Sequence, residues 1–314
     1  VVQLVLGSTG SLGSAIVNEL ASSGKPVRAL VRNPSKARRV FTSPDKVDMV
    51  EGSVEDVRTL EKAFDGVDVF HNCINAPYSD WSGLPAIHGR ITDAATKTKA
   101  RMIFPGNVYI YGHCGTEKVR EDHQRNPCSK KGRIRLGLED TFMRLSREGA
   151  VPCTIMRFPD YYGPNAASVA DGIFQSALKD KKARWYGKLD ATHEFIFIAD
   201  AAKAMVAATD RPDASSKDFN VPGPEAIRVR DFITRVFAQV GFGPKMTGTS
   251  RLFVRLAGLF NATARAFAEM QYLTEEPLIL DGSKFNEFFG MKYPARSYDE
   301  GIRETLASLK RTPV

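Results

Sequence analysis

The chain opens on a short apolar run, Val1 to Leu6, that passes into Gly7-Ser8-Thr9-Gly10-Ser11-Leu12-Gly13 and then into a stretch with Ala15, Ile16, Val17 and Leu20 at helical spacing. No other feature constrains the fold as much. Glycines permit a tight turn and close approach of a ligand to the backbone, while the helix start offers unpaired N–H groups and a positive dipole end. The spacing is GxxGxxG rather than the commoner GxGxxG, so the triplet gains its meaning from the strand before it and the helix after it. In that context it predicts a phosphate-binding turn.

The same alternation continues. Apolar runs at 1–6, 27–31, 47–50, 67–74, 101–104 and 153–158 are separated by amphipathic stretches at 13–22, 57–64, 84–97 and 132–147. Strands alternating with helices predict an α/β fold, a doubly wound parallel sheet covered on both faces. After Pro159 the pattern loosens, with further strands expected at 195–198 and 219–221 among Phe-rich helical segments.

Composition excludes several classes. With 314 residues, 43% of them hydrophobic, the chain has ample core without a disulfide or metal staple. Cys73, Cys114, Cys128 and Cys153 show no metal-ligand spacing, so no metal site is expected, and Cys73 and Cys153 fall in apolar strand-like runs that favour inert packing. There is no apolar run of about 18 residues and no leader-like start, from which a cytoplasmic protein without a membrane partner is expected. The 44 Lys and Arg against 36 Asp and Glu give a net charge of +8, yet no basic stripe with a nucleic-acid reading motif accompanies it. Two dense groups carry much of the excess, Arg32 to Arg39 and Arg125 to Arg135.

Arg32 stands nineteen residues past Gly13, where an NAD enzyme usually places an acid against the ribose 2′-hydroxyl. A guanidinium there suits a 2′-phosphate, with Lys36, Arg38 and Arg39 close behind, and predicts NADP(H). Beyond the turn come Glu51-Gly52-Ser53-Val54-Glu55-Asp56, Asp68 to Ile74, Val108-Tyr109-Ile110-Tyr111-Gly112, Arg157-Phe158-Pro159-Asp160-Tyr161-Tyr162-Gly163-Pro164 and Glu194 to Ala202. In this order the segments resemble the extended branch of the short-chain dehydrogenase/reductase superfamily, the NAD(P)-dependent epimerase/dehydratase group, over nearly the whole chain. The resemblance implies a Rossmann-type sheet formed by 1–160 with 195–221 returning to it. A smaller substrate lobe would come from 161–194 and 222–314. It also implies cofactor contacts from Gly7, Thr9, Gly10, Ser11, Leu12, Gly13, Arg32, Ser53, Val54, Cys73, Asn107, Lys131, Phe158 and Pro159.

The family's catalytic set is Ser or Thr with a Tyr-x-x-x-Lys pair, and here the resemblance breaks. Five residues before Gly112 stands Asn107 at the Ser/Thr position. Eight and four before Glu139 stand Lys131 and Arg135 at the Tyr and Lys positions, still spaced to share a helix face. Three readings stay open. Lys131 could be the general acid or base, with Arg135 pressing its pKa down and Asn107 donating to a carbonyl. The proton could instead come from Tyr109, Tyr111, His113, Tyr161 or Tyr162. Or the site could bind NADP(H) without turnover.

The leading expectation is NADPH-dependent oxidoreduction of a small, anionic carbonyl or hydroxyl compound. The alternatives are an epimerase or dehydratase with no net redox change, or a non-catalytic NADP(H) sensor. Tyr78, Tyr109, His113, Tyr161, Tyr162 and Trp185 are the expected substrate contacts, with Trp81 and His193 nearby. Leu252, Leu256, Leu259, Thr263, Phe267 and Met270 form one helical face, interrupted elsewhere by Arg255, that predicts lobe core or the contact of a homodimer.

Overall fold

The computed structural model describes residues 1–114, 118–250, 253–254, 256, 259–291, 293 and 296–311. Six strands arrive in order: β1 (Gln3–Leu6), β2 (Val27–Val31), β3 (Val47–Glu51), β4 (Val69–Asn72), β5 (Arg101–Asn107) and β6 (Cys153–Phe158). Shorter ones follow as β7 (Asp160–Tyr162), β8 (Ala183–Trp185), β9 (Thr192–His193), β10 (Phe195–Phe197), β11 (Lys217–Asn220), β12 (Ile227–Arg228) and β13 (Met246–Gly248). The first six and β11 form one seven-stranded sheet in the order β11-β6-β5-β4-β1-β2-β3, and its pairings are parallel. This is the doubly wound Rossmann-type architecture that the alternation predicted. The order reverses between β1 and β4, which opens a crevice at the carboxyl ends of those strands.

The helices up to residue 239 are α1 (Ser11–Ser22), α2 (Pro34–Val40), α3 (Val57–Phe64), α4 (Leu84–Thr98), α5 (Lys130–Arg147), α6 (Asp171–Leu178), α7 (Ile198–Ala207) and α8 (Val229–Gln239). Strand residues alternate between two cores, as a period of two requires. Val5, Ile103, Met156 and Phe158 face the side covered by α1 and α7. Leu4, Leu6, Met102, Phe104 and Ile155 face the side covered by α3, α4 and α5. The short helix α2 was not legible as apolar periodicity, because only Ala37 in it is buried. Its start is nonetheless written in Asn33, which accepts from Lys36 N, and in Pro34 at the first helical position.

The later part of the chain builds a second core around Tyr162, Phe174, Trp185, Phe195, Phe232 and Tyr298. Yet the helix Ser283–Phe289 returns to the sheet, where Phe285, Phe288 and Phe289 pack against Phe219 of β11. Of the apolar face expected over 252–270, Leu252 and Arg255 lie outside the described residues. Leu256 and Leu259 are exposed, whereas Phe267 and Met270 on the helix Ala262–Met270 turn inward. Among the described residues no helix is long and apolar enough to cross a membrane, and no cluster of residues could hold a metal ion.

Two buried carboxylates tie this frame together. Glu139 of α5 accepts two hydrogen bonds from Arg157 of β6, at 2.7 and 3.0 Å, and Arg157 reaches on to Asp218 of β11 at 2.7 Å. Gly106 on β5 makes this fit, since a Cβ there would lie 2.7 Å from Glu139 Oε1. Glu194 is held instead by backbone donors, with Lys118 acting on its charge from nearby. It accepts from Gly223 N and Leu280 N, and burial pushes its carboxyl up to about 8.

In the unfolded chain Glu194 would ionise near pH 4.3. The native state therefore holds an extra proton between roughly pH 4.3 and pH 8, and stability from this group declines across that window as pH rises. Glu194→Gln removes the titration, so the melting temperature of the variant minus that of the parent should rise steadily from pH 5 to pH 8. A difference that is flat with pH in thermal melts would contradict the assignment.

Candidate active site

The crevice begins at the glycine turn. Gly7 has φ +72°, and a Cβ there would lie 2.6 Å from the carbonyl oxygen of Cys73; at Gly13 it would lie 2.2 Å from Gly7 O. Neither position admits a side chain without moving backbone. The helices α2, α3 and α5 are capped by Asn33, Asp56 and Ser129, but α1 starts on Gly10 with no side-chain cap and no acid in its first turn. Its first N–H groups are thus left to an outside anion. Ser11 Oγ accepts from Ala167 N at 3.1 Å, so the loop after Pro164 crosses this turn.

Around the turn, Arg32 is exposed at the end of β2 and joins none of the described ion pairs. Ser53 accepts from Glu55 N at the end of β3, with Val54 partly buried beside it. Cys73 follows β4, and burial pushes its thiol up to about 12, so it stays protonated. Phe158 and Pro159 are buried at the end of β6. These residues, with Thr9 and Leu12 at the turn, lie at the carboxyl end of one parallel sheet.

The three positions that depart from the usual catalytic set have distinct surroundings. Asn107 closes β5, and its side chain accepts from Tyr109 N at 3.1 Å, which starts the single turn Val108–Ile110. Lys131 is buried and its Nζ lies 2.9 Å from Glu269 Oε2, while Glu269 Oε1 accepts from Lys131 N at 2.9 Å. Burial works to raise the Glu269 carboxyl, but its bonds to Lys131 outweigh that and hold it below the ordinary value. The same ammonium lies 4.9 Å from the Tyr78 ring.

Arg135, one turn on, is also buried. Its guanidinium lies 5.1 Å from the Trp81 ring and 5.4 Å from the Phe104 ring, and its Nε and Nη1 have no hydrogen-bond partner. Burial presses its pKa down, against the pull of Glu139, Tyr109 and Tyr161. An arginine stays charged nonetheless, so this is a buried cation with unspent donors.

An aromatic cavity lies beside these groups. Tyr78, Tyr109, Trp185, Tyr186 and Phe267 line it together with Asp160, Gln271 and Thr274, and about 40 Å³ is open to the centre of a water-sized sphere. Tyr78 and Tyr109 are hydrogen-bonded to each other, and burial raises both phenols well above their ordinary value. Tyr161 is likewise raised, first by burial and then by Cys73, with Arg135 opposing. Asp160 accepts from or donates to His193 Nε2 at 3.0 Å, according to protonation.

Other expected residues lie apart from the cavity. Tyr111 is buried against Asn220 and Arg157 in the network that anchors α5. Tyr162 stacks on Phe174 within the second core. His113 is exposed and bonded to Glu276 at 2.7 Å. Of the second basic group, Arg125, Lys130 and Arg133 are exposed, with Arg125 paired to Asp140, and only Lys131 and Arg135 turn inward. An anion clamp of several cations is therefore not assembled there. Sequence reasoning missed Glu269, Gln271 and Tyr186, because no local spacing links them to α5 or to the strand ends.

The model of the NAD dependent epimerase/dehydratase family matches residues 3–222. The chain belongs to this family. Among curated members it is similar to the UDP-N-acetyl-alpha-D-glucosaminuronate decarboxylase of Bacillus cytotoxicus, 26% identical over 234 residues, covering 66% of this chain and 70% of that one. A shorter match, 40% identical over 65 residues and covering 21% and 22% of the two chains, joins it to the NAD(P)H azoreductase of Xenophilus azovorans. Among solved structures it is similar to UDP-glucuronic acid 4-epimerase from Bacillus cereus in complex with UDP-glucuronic acid and NAD, with a TM-score of 0.82, 18% identity and 99% of both chains covered. At that identity the likeness is one of fold.

The Lys131–Glu269 pair joins α5 to the helix Ala262–Met270. Since Glu269 is partly solvated, Lys131→Met should cost about 1–3 kcal/mol and speed amide exchange across that helix. Unchanged melting together with unchanged exchange would show that the pair holds nothing.

Proposed function

We propose that this chain binds a nicotinamide dinucleotide along the carboxyl ends of β1, β2 and β4, and that its reaction exchanges hydride at an oxygen-bearing carbon. The observation that carries this is the pairing of an uncapped glycine turn with a buried, unspent guanidinium at Arg135. The first suits a pyrophosphate and the second suits the oxygens of a ribose or a polarised carbonyl. When bound, the nicotinamide supplies the hydride exchange at its C4. Family membership supports the course in which a substrate is oxidised and re-reduced with no net consumption of cofactor, as in an epimerase or dehydratase.

In this reading Lys131 is a positioning residue. Its ammonium is spent on Glu269, which keeps the helix Ala262–Met270 against the cleft. Asn107 shapes the turn that presents Tyr109. The proton is moved at the hydroxyl of Tyr161, which feels both Cys73 and the cation of Arg135. Arg135 stabilises negative charge developing on the substrate oxygen from a site of low dielectric.

A second reading, net reduction with NADPH, is favoured by Arg32, an exposed cation with no acid beside it at the end of β2. It is favoured also by phenols whose raised pKa makes them donors rather than bases.

Two measurements test these assignments. Titration of the purified protein with NADP(H) and NAD(H), followed by nicotinamide fluorescence, should give saturable binding. Arg32→Asp should swing the NADP-to-NAD preference by about 10- to 100-fold, the worth of one charge-assisted contact; an unmoved ratio removes Arg32 from the 2′-phosphate. On a turned-over substrate, Tyr161→Phe should lower kcat by roughly 100-fold or more, while Lys131→Met should act mainly on KM. The reverse pattern would return the proton to Lys131. Product formed without net change in nicotinamide absorbance marks the epimerase course, and net oxidation marks the reductase.

A further inference from the structure

We infer that the aromatic cavity is the substrate's ring subsite and that it takes a flat, uncharged ring bearing a single carbonyl or hydroxyl oxygen. The inference rests on the reading that hydride is exchanged at an oxygen-bearing carbon, and it adds the chemical class of the molecule that carries it. The cavity is walled mostly by aromatic and aliphatic side chains. Tyr78, Tyr109, Tyr186 and Phe267 supply faces and edges to it; Tyr186 stacks on Phe267 at 5.5 Å and Tyr78 packs on Phe267 at 5.2 Å. Such walls favour a planar ring in offset or edge-on contact.

The polar inventory narrows the ligand further. Tyr78 donates its hydroxyl to Tyr109, whose own O–H stays available, Thr274 Oγ1 donates to Tyr186 O, and Asp160 is bonded to His193 through one of its two oxygens. Two further lining groups are buried and unspent: both ends of the Gln271 amide and the indole N–H of Trp185. The amide offers one donor and one acceptor, so it can meet a carbonyl in the oxidised form of a substrate and a hydroxyl in the reduced form.

A pyranose would bring several hydroxyls against walls that are mostly aromatic and aliphatic, where few of them would find partners. A phosphate or carboxylate would meet Asp160, the one acid among the lining residues, and no lining lysine or arginine. The expectation of an anionic substrate drawn from the basic segment 125–135 thus finds no support in this cavity.

The test is equilibrium binding to the protein without added cofactor, which separates this inference from the dinucleotide reading. Acetophenone is the probe, ethylbenzene its deoxygenated analogue and UDP-glucose the contrast, followed by saturation-transfer NMR and calorimetry. Acetophenone should bind saturably and at least about tenfold tighter than ethylbenzene, since a buried amide left unpaired penalises the analogue. Gln271→Leu should weaken acetophenone by about fivefold or more. Trp185→Phe keeps a ring in place and loses only the indole N–H; it should weaken acetophenone too, and it stands in if the Gln271 variant fails to fold. Equal affinity for ethylbenzene and acetophenone, an unchanged affinity in both variants, or UDP-glucose displacing acetophenone would each overturn the inference. Absence of NADP(H) binding in the same preparation would instead count against the dinucleotide reading while leaving the acetophenone result standing.

Discussion

Glu139 and Arg157 face each other where α5 meets the sheet, wholly removed from water. Removing either partner would strand the other as an uncompensated charge, which is far more costly than the net worth of the pair. Arg157 is also bonded to Asp218, and Tyr111 and Asn220 extend the same network, so α5, β6, β11 and the turn after β5 share one set of contacts. The rotational setting of α5 follows from it. Lys131 and Arg135, two and one turns ahead of Glu139, are carried to the inside by the same helix face, whatever their own chemistry. The lack of a side chain at Gly106 is part of this arrangement rather than of the phosphate turn.

The architecture was legible because it is repeated locally. Apolar runs alternate with amphipathic helices, three of which start on a side-chain cap, and the glycine turn sits at the first junction. The turn proposed to hold the cofactor was legible for the same reason, since Gly7, Gly10, Gly13 and Arg32 stand at fixed offsets from strand ends. The substrate side was not. Glu269 meets Lys131 across 138 residues of chain, and Gln271 follows an apolar helix face whose polar neighbour carries no spacing signal. Aromatic residues divide between cavity and core by tertiary context alone: Tyr109 and Trp185 line the cavity, whereas Tyr162, next to the family-like Gly-Pro, is stacked in the second core.

The three residues that stand where the resemblance expects the triad each have partners of their own in this structure. At 107 an amide accepts from the following turn. At 131 an ammonium replaces a phenol and finds a carboxylate from the other end of the chain. At 135 one cation replaces another, but a planar guanidinium between Trp81 and Phe104 has a fixed fork where an ammonium would have been a point charge. Tyrosines absent from the old position stand around the new one, on β7 and after β5.

Glu269 also occupies the start of α5 in a second sense. Its oxygens take the Lys131 N–H and ammonium together, so the positive end of that helix already has a resident counter-ion supplied by the chain. At this point of the cleft the helix end is neutralised, while Arg135 one turn on keeps unspent donors. Entry of an uncharged molecule into such a cleft would involve little release of condensed ions, whereas the proposed dinucleotide, if docked beside Arg32, would be drawn by a field that salt readily screens. Two ligands of one crevice would thereby come under different control by ionic strength.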